Sequence, residues 1–594
     1  MMSNIFYYFC KIKLYILIGY LIPLALLLWF VANFSVNVPF LDQWVLVDFF
    51  EKVESKTANL GDLFAQHFEH RLFIPRIIFT ILAFSSNWNV KLEQGCSVIL
   101  AILSFYAMYK LSAIQETNNK QLFHLANISI SMLYFSLVQF GNWLWGFQLQ
   151  WYLPNFCIIL AVFILYVPKS LSAYLKVLIA GLFCFLASFS SSHGLLSWLA
   201  MIPALLYFES NSSRRKKIIL IWILMFILCC FIYSIGYQKP ASSTDLFFFI
   251  KKPLIALAFI LMMVGSSSVG LVINPALAGF FIMINFLFLN SYYFKSLGSQ
   301  FARNAAPWLS LGWFSMLVVL TIGLGRVGYG VGNALQTRYT TGTILIVISC
   351  LQMWRLLVDN EKILENKKKD ISISISCFIF GLITAFFIAY STQGIADGRE
   401  VWLQKTSGKT CLEVVYYLEQ SVEELPDSCL HSITGEPFKG LLRSSVDGLN
   451  RLGFRTFPTD IKFAIASKKL YGNIEIPAQT DKFITLPKDM SIKLSGWAGL
   501  PDAREQPRVV LFSYGDRKTF FANAVIKLPR PEIGRILKHS RYSKIGWDRF
   551  GWEVNISGQS LPVGENLIKA WVYDKNNKRF VQLNNILKLK VITD

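Results

Sequence analysis

The sequence predicts a polytopic α-helical membrane protein of about 11–13 spans, followed by an α+β region that ends in a β-sandwich. Three observations predict it. Apolar runs recur through the first 390 residues of a 594-residue chain. Charged residues make up 16% and hydrophobic residues 54%, with a mean hydropathy of +0.46, whereas soluble domains carry about a quarter charged residues. After residue 391 the long apolar runs stop, and toward the end the apolar period falls to two.

The first run, Leu14 to Phe34, is too long for a signal-peptide core and lacks a small-residue cleavage site, so it reads as a retained span. Runs long enough to cross follow, giving spans at 14–36, 90–111, 123–141, 154–168, 174–192, 194–208, 218–236, 269–292, 307–325, 338–358 and 371–391. Two further apolar stretches, 72–86 and 253–267, are short for a crossing. The first contains Pro75 and Arg76 and the second runs into "GSSS". The basic loops are Arg214–Lys217, Glu365–Asp370, the Lys169–Lys176 turn and Lys295–Arg303. They share one side with the N-terminus only if both short stretches dip into the membrane without crossing it. That arrangement gives eleven spans, a cytoplasmic N-terminus and an extracytoplasmic C-terminal region.

The polar and aromatic loops then all face outward: Phe40–Arg71, "GNWLWGFQLQWYLPN" (Gly141–Asn155), "SSSHG" (Ser190–Gly194) and "GRVGYGVGNALQTRY" (Gly325–Tyr339). The formal charge of +21 does not point to nucleic acid, because cytoplasmic loops of membrane proteins are basic anyway. The sequence holds no Walker-type loop and no zinc-type cysteine cluster. Most cysteines lie singly in apolar runs (Cys96, Cys157, Cys184, Cys377) and act as small hydrophobes. Cys411 and Cys429 fall in a polar segment, where an extracytoplasmic location would allow a disulfide.

The expected organisation is a helical domain over 1–391 with a large first outer loop at 37–89, a helical linker region over 392–475 and a β-sandwich over 476–594. "CLEVVYYLEQSVEE" (411–424) and "KGLLRSSVDGLNRLG" (439–453) carry helical spacing, the second stopping at Gly453. "IKLSGWA", "RVVLFSY" and "LIKAWVYD" alternate as strands of a small antiparallel sandwich, separated by turn residues at Pro501-Asp502, Gly515-Asp516 and Lys575–Asn577. Trp497, Trp552 and Trp571 read as its core, with a sugar-stacking surface as the alternative.

The candidate site is drawn from the outer loops. Asp42, in "VPFLDQW" just past the first span, is a carboxylate able to act as a base on a hydroxyl, or else an interfacial polar residue beside a belt tryptophan, Trp44. "HFEHR" places His67 and His70 three apart, on one face if helical, flanked by Glu69 and Arg71. Two imidazoles and a carboxylate suit a divalent cation, but the set is incomplete, and a hydrogen-bonding helix is the plainer reading. Arg71 and Arg76 suit a phosphate or snorkel to lipid headgroups. Arg326 and Arg338 stand at the facing ends of consecutive spans, with four glycines between them and Tyr339 beside them. Arginines at membrane depth are costly and need a partner, either a lipid-linked phosphate or Asp42. Asn142, Trp145 and Gln148, with Trp143, Gln150 and Trp151, suggest a polar groove among belt aromatics, and His193 lies in "SSSHG".

The ensemble resembles the GT-C class of integral-membrane glycosyltransferases. The shared features are a first span, a large outer loop with an acid at its start ("PFLDQW"), amphipathic helices, many later spans and a C-terminal outer domain. It is similar too to uncharacterised bacterial membrane proteins associated with surface polysaccharides, on "HFEHR", Arg326–Tyr339 and the "GWA" of Gly496–Ala498. One departure is that GT-C enzymes often pair two acids in the first loop, and here Asp42 stands with Gln43. The resemblance implies an inner-membrane enzyme that moves a sugar from a polyprenyl-phosphate donor to a glycan or lipid-linked acceptor on the outer face. Asp42 is then the catalytic base, and Arg326 and Arg338, or Arg71, stabilise the departing phosphate. The amphipathic stretches at 44–56 and 72–86 would admit the lipid tail. Membrane lipids are the other expected partners, and no nucleic acid is. No cofactor is implied beyond a possible divalent cation. The competing expectation is a lipid-linked glycan transporter or assembly factor without bond chemistry. A flippase needs ionisable residues deep in several spans, and the spans read as clean.

Overall fold

The structure is a computed structural model describing residues 14–115, 119–167, 170–239, 248–266, 274–359, 366–425, 428–435, 440–465, 471–475, 483–501, 506–536 and 549–593. The chain divides into two compact units. One comprises residues 1–35, 59–82 and 91–398, and the other 36–58, 83–90 and 399–594.

The first unit is helical. Among the described residues, nine helices are long and apolar enough to cross a membrane: Leu14–Phe34, Lys91–Ala113, Lys120–Trp143, Gly146–Tyr166, Ser212–Ser234, Pro275–Lys295, Gln300–Tyr329, Thr337–Asp359 and Ser374–Glu413. The chain is a multi-pass integral membrane protein. Four shorter apolar helices accompany them, Phe73–Ser86, Ala173–Ser188, Ser192–Phe208 and Pro253–Ser266. Two of these are the stretches read as too short to cross. The other two, expected as spans 174–192 and 194–208, are shortened by the polar "SSSHG" segment, which folds as turn and 3₁₀ helix (Ser192–Leu196). Residues 269–273 of the 269–292 run lie outside the described residues, as do Lys169, Glu365 and Asp502.

Burial sorts these helices. In Thr337–Asp359, 78% of the most apolar window is buried inside the protein, against 17% in Leu14–Phe34. A helix apolar on all sides is satisfied by lipid as well as by protein, so position in the bundle, not composition, separates the two. The last span does not stop at 391. One helix runs from Asn366 to Glu413, because hydropathy ends there but helix-forming residues do not, and proline is absent throughout.

The second unit holds the strands. After a two-stranded hairpin in the first unit, β1 (Gln66–His67) and β2 (His70–Arg71), ten strands follow: β3 (Lys462–Ala464), β4 (Gly472–Glu475), β5 (Ile484–Pro487), β6 (Ser491–Ala498), β7 (Val509–Tyr514), β8 (Ala522–Pro529), β9 (Arg549–Ser557), β10 (Gly564–Asp574), β11 (Arg579–Gln582) and β12 (Leu587–Ile592). The sheet order is β3-β11-β10-β7-β8-β9-β6-β4, with β12 pairing β10 and β5. Strand structure thus begins at Lys462, ahead of the expected boundary at 476. The β11–β3 and β12–β5 pairs are parallel, where a purely antiparallel sandwich was expected. Residues from strands between β4 and β11 along this path, Ile474 on β4 and Val581 on β11 among them, share one core with Phe512 and Trp552. Trp497 and Trp571 are buried as well, so none of the three tryptophans offers a stacking surface.

The segments 36–58 and 83–90 belong to this unit rather than to the helical one. Helix Leu46–Glu54 buries Leu46, Val47, Phe49 and Phe50. The Phe50 ring lies 5.1 Å from Trp88, 6.0 Å from Phe454 and 6.1 Å from Phe84, ring centre to ring centre. The expectation that this amphipathic stretch is free to admit a lipid tail is therefore corrected, because its apolar face is core. Helix Leu442–Arg451 follows, and Gly453 ends it at a φ of +68°, as its spacing predicted.

Candidate functional site

The stretch "HFEHR" is not helical. β1 and β2 pair antiparallel, with His67 opposite His70 and Gln66 opposite Arg71. Phe68 turns the chain at a left-handed φ of +49°. A spacing of three suits one helix turn or the two sides of a tight hairpin equally, and the hairpin is what forms. The buried His67 ring packs on Phe68 and Phe147 at 4.7 and 5.3 Å. His70 and Glu69 point to other partners.

Glu69 Oε1 accepts a hydrogen bond from Arg326 Nη2 at 2.5 Å, and His70 Nε2 lies 3.8 Å away. The Tyr233 hydroxyl donates to the Glu69 carbonyl at 3.0 Å. Burial pushes the Glu69 carboxyl up, but the His70 and Arg326 charges, helped by hydrogen bonds, outweigh it and hold the group below the usual carboxylate range. Arg326 is therefore paired with an acid, and that acid is Glu69.

His70 Nδ1 faces the 191–193 turn. It meets Ser192 Oγ at 2.8 Å and Ser191 Oγ at 3.3 Å, and the Ser192 backbone N–H donates to it at 3.2 Å. Ser191 Oγ also contacts His193 Nδ1 at 3.0 Å. The turn sits tightly on the preceding helix end. A Cβ at Gly194 would lie 1.9 Å from the Ala187 carbonyl oxygen, which no side chain tolerates. The His193 ring stacks on Trp151 at 4.5 Å, and Trp151 meets Tyr339 edge-on at 5.9 Å.

Tyr339 carries Arg338, whose guanidinium carbon lies 5.3 Å from the ring centre. Arg338 Nε is buried with no hydrogen-bond partner. Among the described residues this guanidinium makes no ion pair or hydrogen bond. The loop leading to it turns at Gly330, whose φ of +97° favours glycine. The Arg338 carbonyl accepts from Asn142 Nδ2 at 3.3 Å, and the same Nδ2 donates to Thr341 Oγ1 at 2.6 Å. Asn142 Oδ1, Gln148 Oε1, Gln150 Oε1 and His193 Nε2 are buried without a partner among the described residues. Trp145 stacks beside Phe147 at 6.3 Å.

The helical unit thus brings together Glu69, His70, His193, Arg326, Arg338, Tyr339 and Asn142 through a continuous series of contacts. Arg71 and Arg76 are differently engaged. Arg71 donates to the carbonyls of Tyr233, Phe64 and Ile235, and Arg76 to those of Leu63 and Ala65. Their role here is to hold the loop backbone. Asp42 belongs to the second unit, on a 3₁₀ turn (Leu41–Val45). There Trp44 Nε1 donates to the Ile433 carbonyl at 3.0 Å, and the Lys405 ammonium lies 4.3 Å from the Phe40 ring centre. Among the described residues no three His, Cys, Asp or Glu side chains form a set able to hold a metal ion.

Sequence reasoning missed two features. Ser191 and Ser192, which join His70 to His193, were visible only as loop residues. The spans are also not clean. Arg355 is 2% exposed and donates to Gln352 Oε1 and Gln115 Oε1, both at 2.7 Å. The signal was a Gln–Arg pair three apart in an otherwise apolar helix.

No protein-family model and no curated protein matches the chain. Among solved structures it is similar to the crystal structure of ArnT from Cupriavidus metallidurans bound to undecaprenyl phosphate. The two are 10% identical with a TM-score of 0.34, over 73% of this chain and 76% of that one.

Proposed function

We propose that this protein is a membrane glycosyltransferase that takes a sugar from a polyprenyl-phosphate donor and transfers it to a cell-surface glycan or lipid-linked acceptor at the extracytoplasmic face. The observation that carries the reading is Arg338, a guanidinium with a buried Nε at the end of a span-length helix, without a counter-charge among the described residues. A cation so placed is costly unless an anion joins it, and a phosphate on a lipid carrier brings that anion to membrane depth. Arg326, expected in the same clamp, is already paired with Glu69, which leaves Arg338 as the cation for the phosphate. The Cys411–Cys429 disulfide supports an oxidising, extracytoplasmic location for the second unit.

In this reading an acceptor hydroxyl attacks the anomeric carbon. The new glycosidic C–O bond forms as the bond from that carbon to the phosphate oxygen breaks, and the electron pair leaves with the phosphate. A carboxylate takes the hydroxyl proton, the role that the sequence reading expects of Asp42. The polyprenyl phosphate departs as an anion and needs no general acid, while the Arg338 guanidinium stabilises its developing charge.

The test is transfer of labelled sugar from a synthetic polyprenyl-phosphate hexose by the detergent-solubilised protein, run with and without a chelator to detect any need for a divalent cation. Wild type should form product. Asp42→Asn should lower the rate by about 10²–10⁴-fold with binding of the lipid phosphate unchanged. Full activity in that variant would remove Asp42 as base. A second reading, a transporter of lipid-linked glycan, is favoured by the buried Arg355 network. It forms no bond, so it predicts no product from any donor in detergent.

A further inference from the structure

Asn142 and His193 are 1% and 7% exposed, and each has one polar atom without a partner among the described residues, Asn142 Oδ1 and His193 Nε2. Orphaned buried polar atoms are uncommon and costly, because each has given up water without a replacement. Contacts link the two residues: His193 stacks on Trp151, Trp151 meets Tyr339, Tyr339 lies against the Arg338 guanidinium, and the Arg338 carbonyl holds Asn142.

The chemistry of the missing partner follows from the donors already in place. A carbonyl only accepts, so the Asn142 nitrogen must be the atom facing the Arg338 carbonyl, and its Oδ1 is left needing a donor. At His193 the proton on Ser191 Oγ decides. If Ser191 donates to Nδ1, then Nε2 carries hydrogen and needs an acceptor. If Ser191 accepts from Nδ1, then Nε2 of the neutral ring is bare and needs a donor. A phosphate oxygen satisfies His193 in the first case only, and it never satisfies Asn142 Oδ1. A hydroxyl satisfies every case.

We propose that Asn142 Oδ1 and His193 Nε2 form a hydroxyl-reading subsite that takes the sugar of a lipid-linked donor, while Arg338 takes its phosphate. The inference rests on the function proposed above and divides the site by chemistry, with amide and imidazole for the neutral polyol and guanidinium for the anion.

The test measures binding of two probes to the full-length protein in nanodiscs, bare polyprenyl phosphate and polyprenyl-phosphate hexose. His193→Phe should weaken the sugar-bearing lipid about tenfold and leave the bare phosphate lipid unchanged, while His193→Gln, which keeps a polar end, should retain most of the affinity. A series of mono-deoxy hexoses keeps the test independent of folding in the variants. Removing one particular hydroxyl should cost wild type about tenfold and His193→Phe nothing more. Equal binding of all deoxy donors to wild type would mean that the two atoms are served by water, and would overturn the subsite. Equal loss of both lipids in His193→Phe would make the residue structural, with the same result. If wild type binds neither lipid, the proposed function itself fails and takes the subsite with it.

Discussion

Arg338 and Arg355 sit near opposite ends of one helix, Thr337–Asp359, about 25 Å apart at 1.5 Å per residue. Both are arginines in an apolar bundle, and they are treated in opposite ways. Arg355 is enclosed by amides. Besides its bonds to Gln352 and Gln115, Gln115 Oε1 accepts from Trp308 Nε1 at 3.0 Å, and Gln115 Nε2 donates to the Asn304 carbonyl at 2.6 Å. Both guanidiniums lie near a ring, Tyr339 and Phe123, and each has one buried nitrogen without a partner among the described residues, but only Arg355 is also held by hydrogen bonds, through Nε and Nη2. The difference teaches how to tell a structural cation from a binding one. Gln352, on the same helix, and Gln115 fix the Arg355 charge in place, whereas Arg338 is left with a ring to lie on, and the proposed function assigns it the incoming anion.

The largest expected effect breaks the inner member of the pair. Arg355→Ala removes two charge-assisted hydrogen bonds and should lower stability by about 3 kcal/mol, read as a fall in thermal unfolding midpoint in detergent. Lipid-phosphate affinity of the folded fraction should not change. The reverse signature belongs to Arg338→Ala. It should leave the unfolding midpoint nearly unchanged and weaken polyprenyl phosphate about 10- to 100-fold, and Arg338→Lys should recover part of the loss. Unchanged affinity there would erase the distinction.

The smallest effect sharpens the contrast from the side of Arg326. Its partner Glu69 has a depressed pKa, so the pair's stability contribution is complete above the ordinary carboxylate range, near pH 4.3. It is lost as pH falls through the lower folded value. Glu69 is partly exposed, so the contribution should stay below about 1 kcal/mol. Glu69→Gln should flatten that acid limb in melts taken from pH 7 to pH 3. An identical acid limb in the variant would assign it to other carboxylates.

Much of this was legible in the sequence. The side chains of the cluster come from loops that lysine and arginine counts led us to expect on one face, and Arg326, Arg338, His193 and Asn142 were named from those loops. What stayed hidden was pairing across distance. His70 finds Ser192 122 residues away and Arg326 finds Glu69 257 residues away, and no local period encodes either contact. The hairpin at 66–71 was hidden for a different reason, since strands of two residues have no alternation to read. The helix to Glu413 outran its apolar run because hydropathy marks where lipid ends, not where a helix ends.

The unequal burial of the spans bears on descent as well as on packing. Leu14–Phe34, Ser212–Ser234, Pro275–Lys295 and Ser374–Glu413 bury 22% or less of their apolar windows, so they answer mainly to the thickness of the surrounding bilayer. Should this protein pass into a host with a thicker or thinner membrane, substitutions should accumulate on those four helices. Thr337–Asp359, enclosed by its neighbours, should keep its sequence through the move.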